Sequence, residues 1–161
     1  MDTLIPLRGG PASPDMAPTA ASWRLLLRAL AEELDLLRPG LDRDALLRRC
    51  GHRLARLMPL PQVASLGALA VEANDALAAV GWGTTAMTVD QADRALRIHH
   101  TGLPRIGSLQ AEGGPWLTAL LEGLYEGWLI QQPGGEASLS ARCIPGGEQG
   151  AIVLRYGVNP G

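Results

Sequence analysis

Several residue types are scarce or missing in this chain of 161 residues, and each absence narrows the classes of protein to consider. The sequence contains no Phe and no Lys, so that Arg supplies all 14 basic side chains, and the formal net charge is -2. This balance argues against a nucleic-acid-binding protein, which needs a basic surface. There are 2 cysteines, Cys50 and Cys143, without the spacing of a metal site. We expect both thiols to be buried and reduced.

Long hydrophobic runs are also missing. Nowhere do about eighteen apolar residues follow one another without a charge or a helix breaker, so the sequence predicts no membrane-spanning helix. The first residues include no apolar run of signal-peptide length before Pro11. This pattern predicts a cytoplasmic protein, with a periplasmic location as the alternative.

The sequence contains no pattern that is typical of catalysis or of a bound cofactor. It has no paired carboxylates, no phosphate-binding glycine loop and no nucleophile elbow in the required context. His99 and His100 are adjacent and point to opposite faces if they lie on a strand, so they cannot share a metal ion. Cys143 lacks the flanking signature of a thiol nucleophile. We therefore expect a protein that is not an enzyme and that holds no metal or cofactor. A hydrolase or thiol enzyme would instead need Cys143 or a histidine beside a base in a cleft.

The chain begins with an arm that is poor in core-forming residues. Within residues 1–20, helix breakers occur at Pro6, Gly9, Gly10, Pro11, Pro14 and Pro18. Such a composition cannot bury enough apolar surface to offset the entropy of ordering. We predict a flexible arm over 1–20 and a single domain over 21–161.

Helical periodicity predicts three helices after the arm. The first is capped by Ser22 and ended by Pro39 and Gly40, the second begins after Asp42, and the third covers about 63–80. The predicted inner faces have the usual spacing of an amphipathic helix. They comprise Trp23, Leu26, Leu27, Leu30, Leu34 and Leu37 in the first helix, Leu46, Leu47, Cys50, Leu54 and Leu57 in the second, and Val63, Leu66, Ala70, Ala73, Leu77 and Val80 in the third.

The second helix also has a basic side. The predicted outward residues are Arg48, Arg49, Arg53 and Arg56, together with His52. Several guanidinium groups on one face can bind an acidic partner or an anionic head group, and they can equally form an ordinary solvated face. These four arginines are our candidate partner-binding residues.

The remaining sequence alternates between extended and helical patterns. TTAMTV and ALRIHHT flank the polar DQADR, and ASLSARCI and AIVLRYG surround a turn at residues 145–147, which predicts two hairpins. We predict an α+β fold with N-terminal helices and a small antiparallel sheet of two hairpins, with a long apolar helix between the hairpins.

This last helix, about 116–130, is the most informative element. Its apolar residues cover roughly half of the helix circumference, which is more than an ordinary surface helix shows. The excess face must meet either a second layer of the same chain or another subunit, and we predict a stable homo-oligomer. Tryptophan rings also stack on sugars, but here they lie on the apolar stripe, which favours packing. The candidate core or oligomer-interface residues are Trp116, Leu117, Leu120, Leu121, Leu124, Tyr125 and Trp128.

Three segments, in this order, carry a resemblance to a known family. NDALAAVGWG, RIHHTGLPRIGS and GGPWLTALLEGLYEGWLIQQPG resemble the D subunit of bacterial cellulose synthase. The resemblance covers about residues 20–157 in architecture, and its specific motifs lie in 74–134. The motif positions are Asn74, Leu77, Trp82, Gly83, Arg97, Ile98, His100, Leu103, Pro104, Gly107, Ser108, Trp116, Leu117, Leu121, Glu122, Gly123, Leu124, Tyr125, Trp128, Gln132, Pro133 and Gly134.

The resemblance implies a non-enzymatic accessory protein that assembles through dimers into a ring-like octamer. Such rings are associated with ordered export and crystallisation of glucan chains by the membrane synthase. The expected partners are further copies of the chain, other subunits of the synthase complex, a Pro-rich partner protein and glucan chains. The alternative function is a small-molecule-sensing module, which needs an enclosed apolar pocket with a few polar groups.

Overall fold

The computed structural model describes residues 29–30, 33, 41–103, 116–145 and 151–158. Its helices with defined bounds are α1 (Leu41–Leu57), α2 (Leu66–Val80) and α3 (Trp116–Leu129), and its strands are β1 (Thr84–Asp90), β2 (Ala95–Thr101), β3 (Leu139–Ile144) and β4 (Ala151–Val158). The predicted α+β fold is confirmed. The predicted arm, most of the predicted first helix, residues 104–115 and residues 146–150, which include most of the predicted turn at 145–147, lie outside the described residues.

The strands form one antiparallel sheet in the order β1-β2-β4-β3. The two predicted hairpins are its two halves, and pairing of β2 with β4 joins them, with Ile98 opposite Leu154. Side chains alternate between the faces of a sheet, so Ile98, His100, Leu154 and Tyr156 share one face. Each of these four residues is buried. This face of the sheet therefore forms one side of the hydrophobic core.

The sequence around α2 explains where this helix begins and ends. The Ser65 hydroxyl accepts a hydrogen bond from the Ala68 N–H at 3.2 Å, which caps the first turn. Gly81 ends the helix in the left-handed conformation, at φ 68°, which glycine adopts without strain. Val80 was predicted to be buried, but it is 42% exposed because the chain turns away immediately after it.

Helices α1 and α3 contact each other backbone to backbone. A Cβ atom added to Gly51 would overlap the carbonyl oxygen of Leu120, and one added to Gly123 would overlap the carbonyl oxygen of Arg48. One turn further along, Gly127 lies against the Ala55 methyl group. Only glycine permits such an approach, so these small residues set how α1 is rotated about its axis.

That rotation corrects the inner face predicted for α1. The buried positions are Leu47, Gly51 and Ala55, spaced four residues apart. Cys50 and Leu57 were predicted to face inward, but both are exposed, Leu57 by 70%. Cys143 is exposed as well, so the prediction that both cysteines are buried is wrong; both are free thiols.

Helix α3 is buried by other parts of the same chain. With 14 residues it is shorter than α1, which has 17, and α2, which has 15, so the predicted long helix is not the longest one here. Its core-facing residues pack with Leu69 and Leu77 of α2 and with Ile98 of β2. The buried side chains of α3 include Leu117, Leu120, Leu121, Leu124, Tyr125 and Trp128, while the side chain of Trp116 lies outside the described residues.

None of the helices in the described segments is long and apolar enough to cross a lipid bilayer.

Candidate functional site

Two residues of the family-like motifs, His100 and Tyr125, form a buried polar contact in the core. His100 is 1% exposed, and its Nδ1 lies 2.7 Å from the Tyr125 hydroxyl. Burial lowers the pKa of His100, against a smaller opposite effect of the Trp82 backbone, and burial raises the pKa of Tyr125. Both groups are thereby held neutral near pH 7. The pair is a buried hydrogen bond between two neutral side chains.

The neighbouring tryptophan connects α3 to the end of α1. Trp128 packs edge-to-face on Tyr125, with ring centroids 5.7 Å apart, and its Nε1 donates to the Met58 carbonyl oxygen at 2.8 Å. The ring is 1% exposed. Trp128 therefore offers no free face on which a sugar could stack.

Gln132, in the last motif segment, holds the connection between α1 and α2 in place. Its Oε1 accepts from the Val63 N–H at 3.1 Å, and its Nε2 donates to the Pro61 carbonyl oxygen at 3.2 Å. Beside it, Gln62 donates to the Gln131 carbonyl oxygen at 3.2 Å. The motif glutamine thus joins two loops that are far apart in the sequence.

Glu122 joins α1, α3 and the outer edge of β3. Arg48 Nε lies 2.6 Å from its Oε2, and the Cys143 N–H donates to its Oε1 at 2.8 Å. Glu122 is 5% exposed, so the ion pair is shielded from solvent on that side. Although the Cys143 thiol is exposed, partial desolvation by its neighbours, together with the charge of Glu122, raises its pKa. Cys143 thereby lacks the lowered pKa of a reactive nucleophile.

Glu126, one turn later, repeats the arrangement. Its Oε2 accepts from the Ala141 N–H at 3.1 Å and lies 3.1 Å from Arg142 Nη1, and its Oε1 lies 3.4 Å from His52 Nε2. We call Glu122 and Glu126 the edge carboxylates, because both accept N–H groups from the outer edge of β3. His52, predicted to point away from the core, instead faces α3.

At the opposite edge of the sheet, one amide makes a similar contact. Asn74 of α2 accepts from the Thr85 N–H at 2.7 Å and donates to the Thr85 carbonyl oxygen at 3.0 Å. The side chain thus pairs with the outer edge of β1 as a neighbouring strand would. It does so for one residue of the strand.

The four candidate arginines of α1 do not form one surface. Arg48 turns toward Glu122 and is half-buried, while Arg49, Arg53 and Arg56 are exposed. We call these last three residues the arginine face. They lie at the spacing of adjacent turns, so their guanidinium groups extend from the same side of α1.

The described residues include no group of three or more His, Cys, Asp or Glu that could hold a metal ion. His99 is exposed and His100 is buried, on opposite faces of β2 as predicted.

A groove of about 230 Å³ lies between the start of α2 and the segment that follows α3. Its lining includes Leu66, Leu69, Leu129, Gln132 and Tyr156. Small-molecule sites are usually larger and enclosed, whereas this groove is open to solvent. The groove therefore does not favour a ligand-sensing module.

Sequence reasoning did not predict the role of the edge carboxylates. A signal was present, because two acidic residues four positions apart interrupt an otherwise apolar helix. A buried carboxylate needs a partner, and that requirement points to a contact with another element.

Comparisons with known proteins show the family to which the chain belongs. The sequence matches the family described as the D subunit of cellulose synthase over residues 15–157. It is 39% identical over 114 residues to a cellulose synthase operon protein D of Komagataeibacter xylinus, covering 70% of this chain and 72% of the relative. A protein of the same name from Komagataeibacter sucrofermentans is 37% identical over 113 residues, with the same shares covered. The chain therefore belongs to the family of cellulose synthase D subunits.

Proposed function

We propose that this protein is a non-catalytic accessory subunit of the bacterial cellulose synthase system. It forms a ring-like homo-oligomer that organises synthase complexes, or the glucan chains they release, for ordered export and crystallisation of cellulose. Its role is to position synthase complexes relative to one another. Identical surfaces repeated around a closed ring hold several synthase complexes close enough for their products to crystallise together.

The proposal rests on one observation: the described residues of the family-like motifs make contacts inside the subunit. His100, Tyr125 and Trp128 form buried packing contacts, and Gln132 and Glu122 join neighbouring elements. An enzyme family would be expected to share residues that line a cleft around a substrate. Here the described residues of the family-like motifs hold neighbouring elements of one subunit together, which supports a structural role.

The arginine face is the surface that we assign to a partner within the synthase complex. Arg49, Arg53 and Arg56 are exposed, whereas Arg48 is engaged by Glu122. Guanidinium groups bind carboxylates in paired geometry, so the arginine face suits an acidic segment of another subunit or of a Pro-rich partner protein. Each contact can be weak, because repetition around a ring raises the effective concentration.

Direct stacking of glucan on this subunit is less well supported. Sugar rings bind the exposed faces of aromatic side chains. Among the aromatic side chains that the structure describes, Tyr125, Trp128 and Tyr156 are buried and Trp82 is half-buried. We therefore favour the arrangement of synthase complexes over a direct grip on the glucan, and we place the ring in the cytoplasm, with the periplasm as the alternative.

The proposal is tested by deleting the gene and measuring two quantities separately. Cellulose produced by whole cells should decrease in amount or crystalline order, while isolated membranes should polymerise glucose at the rate of the parent strain. Loss of polymerisation in isolated membranes would indicate a catalytic role and would refute the proposal.

The partner surface is tested in the same deletion strain by complementation. Replacing Arg49, Arg53 and Arg56 together by Glu should leave the molar mass of the purified protein unchanged and should fail to restore cellulose order. The matched control reverses the charges of Glu72, Asp75 and Arg94, which alters the same number of charged residues at positions away from the arginine face. Full restoration of order by the arginine variant would exclude the arginine face as the partner surface.

A further inference from the structure

The two edges of the sheet are protected to different extents. On the outer edge of β3, the N–H groups of Ala141 and Cys143 donate to Glu126 at 3.1 Å and to Glu122 at 2.8 Å. The edge carboxylates therefore lie where the carbonyl oxygens of an added strand would lie. An incoming strand would have to displace Glu122, which is 5% exposed and bonded to Arg48. The β3 edge is closed.

On the outer edge of β1, protection stops after one residue. Asn74 pairs with the backbone of Thr85 through its amide. Outward-facing backbone groups recur at every second residue of a strand, so Met87 and Val89 are the next in line. Within the part of the chain that the structure describes, their outward N–H and C=O groups have no hydrogen-bond partner. Among the described residues, nothing covers the second half of β1, which we call the open edge.

The open edge also lacks the devices that discourage pairing. From Thr84 to Val89 there is no charge and no proline, and Val89 is 60% exposed. Natural sheets usually blunt such an edge with a lysine, a proline or a bulge. The side chain at the end of the strand does carry a charge, but Asp90 is paired with Arg97 at 2.9 Å. The edge therefore does not repel an identical edge.

We propose that β1 pairs antiparallel with β1 of a second copy of this chain, about a two-fold axis at Thr88. Met87 then lies opposite Val89 of the second copy, and the two residues exchange both of their backbone hydrogen bonds. The pairing ends at Thr85, because the Asn74 amide already bonds the outward N–H and C=O groups of Thr85. It doubles the 4-stranded sheet into one continuous sheet.

A second copy fits this edge for a reason of symmetry. If both edges were open, β1 of one chain could join β3 of the next, and the sheet would grow without limit. Because the edge carboxylates close β3, the remaining self-pairing is β1 with β1, which closes at two chains. The inference rests on the homo-oligomer of the proposed function and assigns its two-fold contact.

The side chains around the axis suit this pairing. Val89 and Met87 lie on the core side of the sheet, where Met87 already packs against the buried cluster. In the pairing, Met87 of the second copy would lie opposite the exposed Val89 and cover it. Thr88 would meet Thr88 of the second copy on the other side of the sheet, and threonine pairs across antiparallel strands are favourable.

A charge swap at the axis tests the proposal. Thr88→Lys and Thr88→Glu each place like charges opposite each other, so each purified variant should show a lower molar mass by light scattering than the unmodified protein. An equimolar mixture of the two should recover the original mass, because opposite charges then meet. Arg94→Glu, an exposed change in the β1–β2 turn, is the control and should keep the original mass.

Two further variants keep the test decisive if the charges disturb folding. Val89→Pro removes the outward N–H without breaking a hydrogen bond to β2 and should lower the mass, whereas Val89→Thr keeps the N–H and should not. In a background with Cys50→Ser and Cys143→Ser, Thr88→Cys should cross-link two chains on mild oxidation. Ala86→Cys, which lies away from the axis, should not.

The outcomes separate this inference from the proposed function. Unchanged mass in the charged Thr88 variants and in Val89→Pro, without cross-linking of the Thr88→Cys variant, would overturn the β1 pairing while leaving the homo-oligomer intact. Unchanged mass together with loss of a bound synthase subunit would show that an extended partner segment uses the edge, and would also overturn it. A monomeric unmodified protein would instead refute the ring-like oligomer.

Discussion

At the scale of single residues, the contact between α1 and α3 depends on what glycine lacks. Gly51 and Gly123 each face the backbone of the other helix at a distance that excludes a Cβ atom. The close approach also brings Arg48 within reach of Glu122. A single methyl group at either glycine would therefore push apart both the backbones and the ion pair.

Gly123→Ala should lower the free energy of unfolding by about 2 kcal/mol, because the overlap with the Arg48 carbonyl outweighs the gain in helix propensity. Gly67→Ala is the matched control, since its added Cβ has no atom within 4 Å. The control should be unchanged or more stable by about 0.5 kcal/mol. Urea denaturation at one protein concentration measures both. Equal stabilities would contradict the close helix contact.

His100 should make stability depend on pH. Burial lowers its pKa below the ordinary value of 6.5, so the unfolded chain takes up a proton at a higher pH than the folded chain does. The free energy of unfolding should therefore decrease as the pH falls below about 6.5, by at most roughly 1.4 kcal/mol per pH unit, until the folded form also protonates.

The measurement compares urea denaturation from about pH 7.5 to 5 in three proteins. His100→Gln should have a smaller loss of stability with falling pH than the unmodified protein, whatever its stability at neutral pH. His99→Gln, one residue away and exposed, should keep the original dependence. Identical slopes in all three would mean that another group controls the acid response.

The residues of α1 show how far the sequence alone could lead. The helix and its amphipathic character were predictable from its leucine spacing, but its rotation was not. The prediction placed Cys50 and Leu57 inward because they are apolar, whereas the helix turns Gly51 and Ala55 to its neighbour. A hydrophobic pattern ranks glycine low, although glycine permits the closest backbone contact.

At the scale of elements, α3 has two functions in the fold. Its apolar residues fill the core, and its edge carboxylates close the sheet at β3. The sequence predicted the first function from periodicity. It could not predict the second, because the contact between Glu122 and β3 depends on how residues distant in the chain are arranged.

Glu122→Ala should lower the free energy of unfolding by about 3 kcal/mol, because it leaves the Arg48 charge and the Cys143 N–H without their partner. Glu122→Gln keeps an acceptor for the N–H and should cost roughly half as much. Asp75→Ala, at a position of α2 away from these contacts, should change stability by less than about 0.5 kcal/mol.

A double-mutant cycle with Arg48→Ala isolates the ion pair. Since the two side chains are in contact, the loss in the double variant should be smaller than the sum of the single losses by about 1 kcal/mol or more. Additive losses would show that Arg48 and Glu122 stabilise the fold independently.

At the scale of the whole molecule, α2 and α3 pack on one face of a small sheet, and the proposed assembly surfaces lie outside that core. The arginine face of α1 and the open edge of β1 use different elements. Changes in one can therefore be made without disturbing the other, which permits assembly and partner binding to be measured separately.

The melting temperature should rise with protein concentration if the homo-oligomer forms, because association stabilises the folded chain by mass action. Thermal unfolding of the unmodified protein over a hundredfold range of concentration measures this. Val89→Pro should show a weaker concentration dependence, since it removes the proposed two-fold contact. A melting temperature independent of concentration in the unmodified protein would argue against assembly.

The position of β4 in the sheet has a consequence for how the chain folds during synthesis. β4 is the last strand in chain order, yet it lies between β2 and β3. The ribosome therefore synthesises β1, β2 and β3 before β4, the strand that pairs with both β2 and β3. Until β4 emerges, the inner edge of β2 is exposed in the nascent chain, and that interval is when a chaperone would have the most to protect.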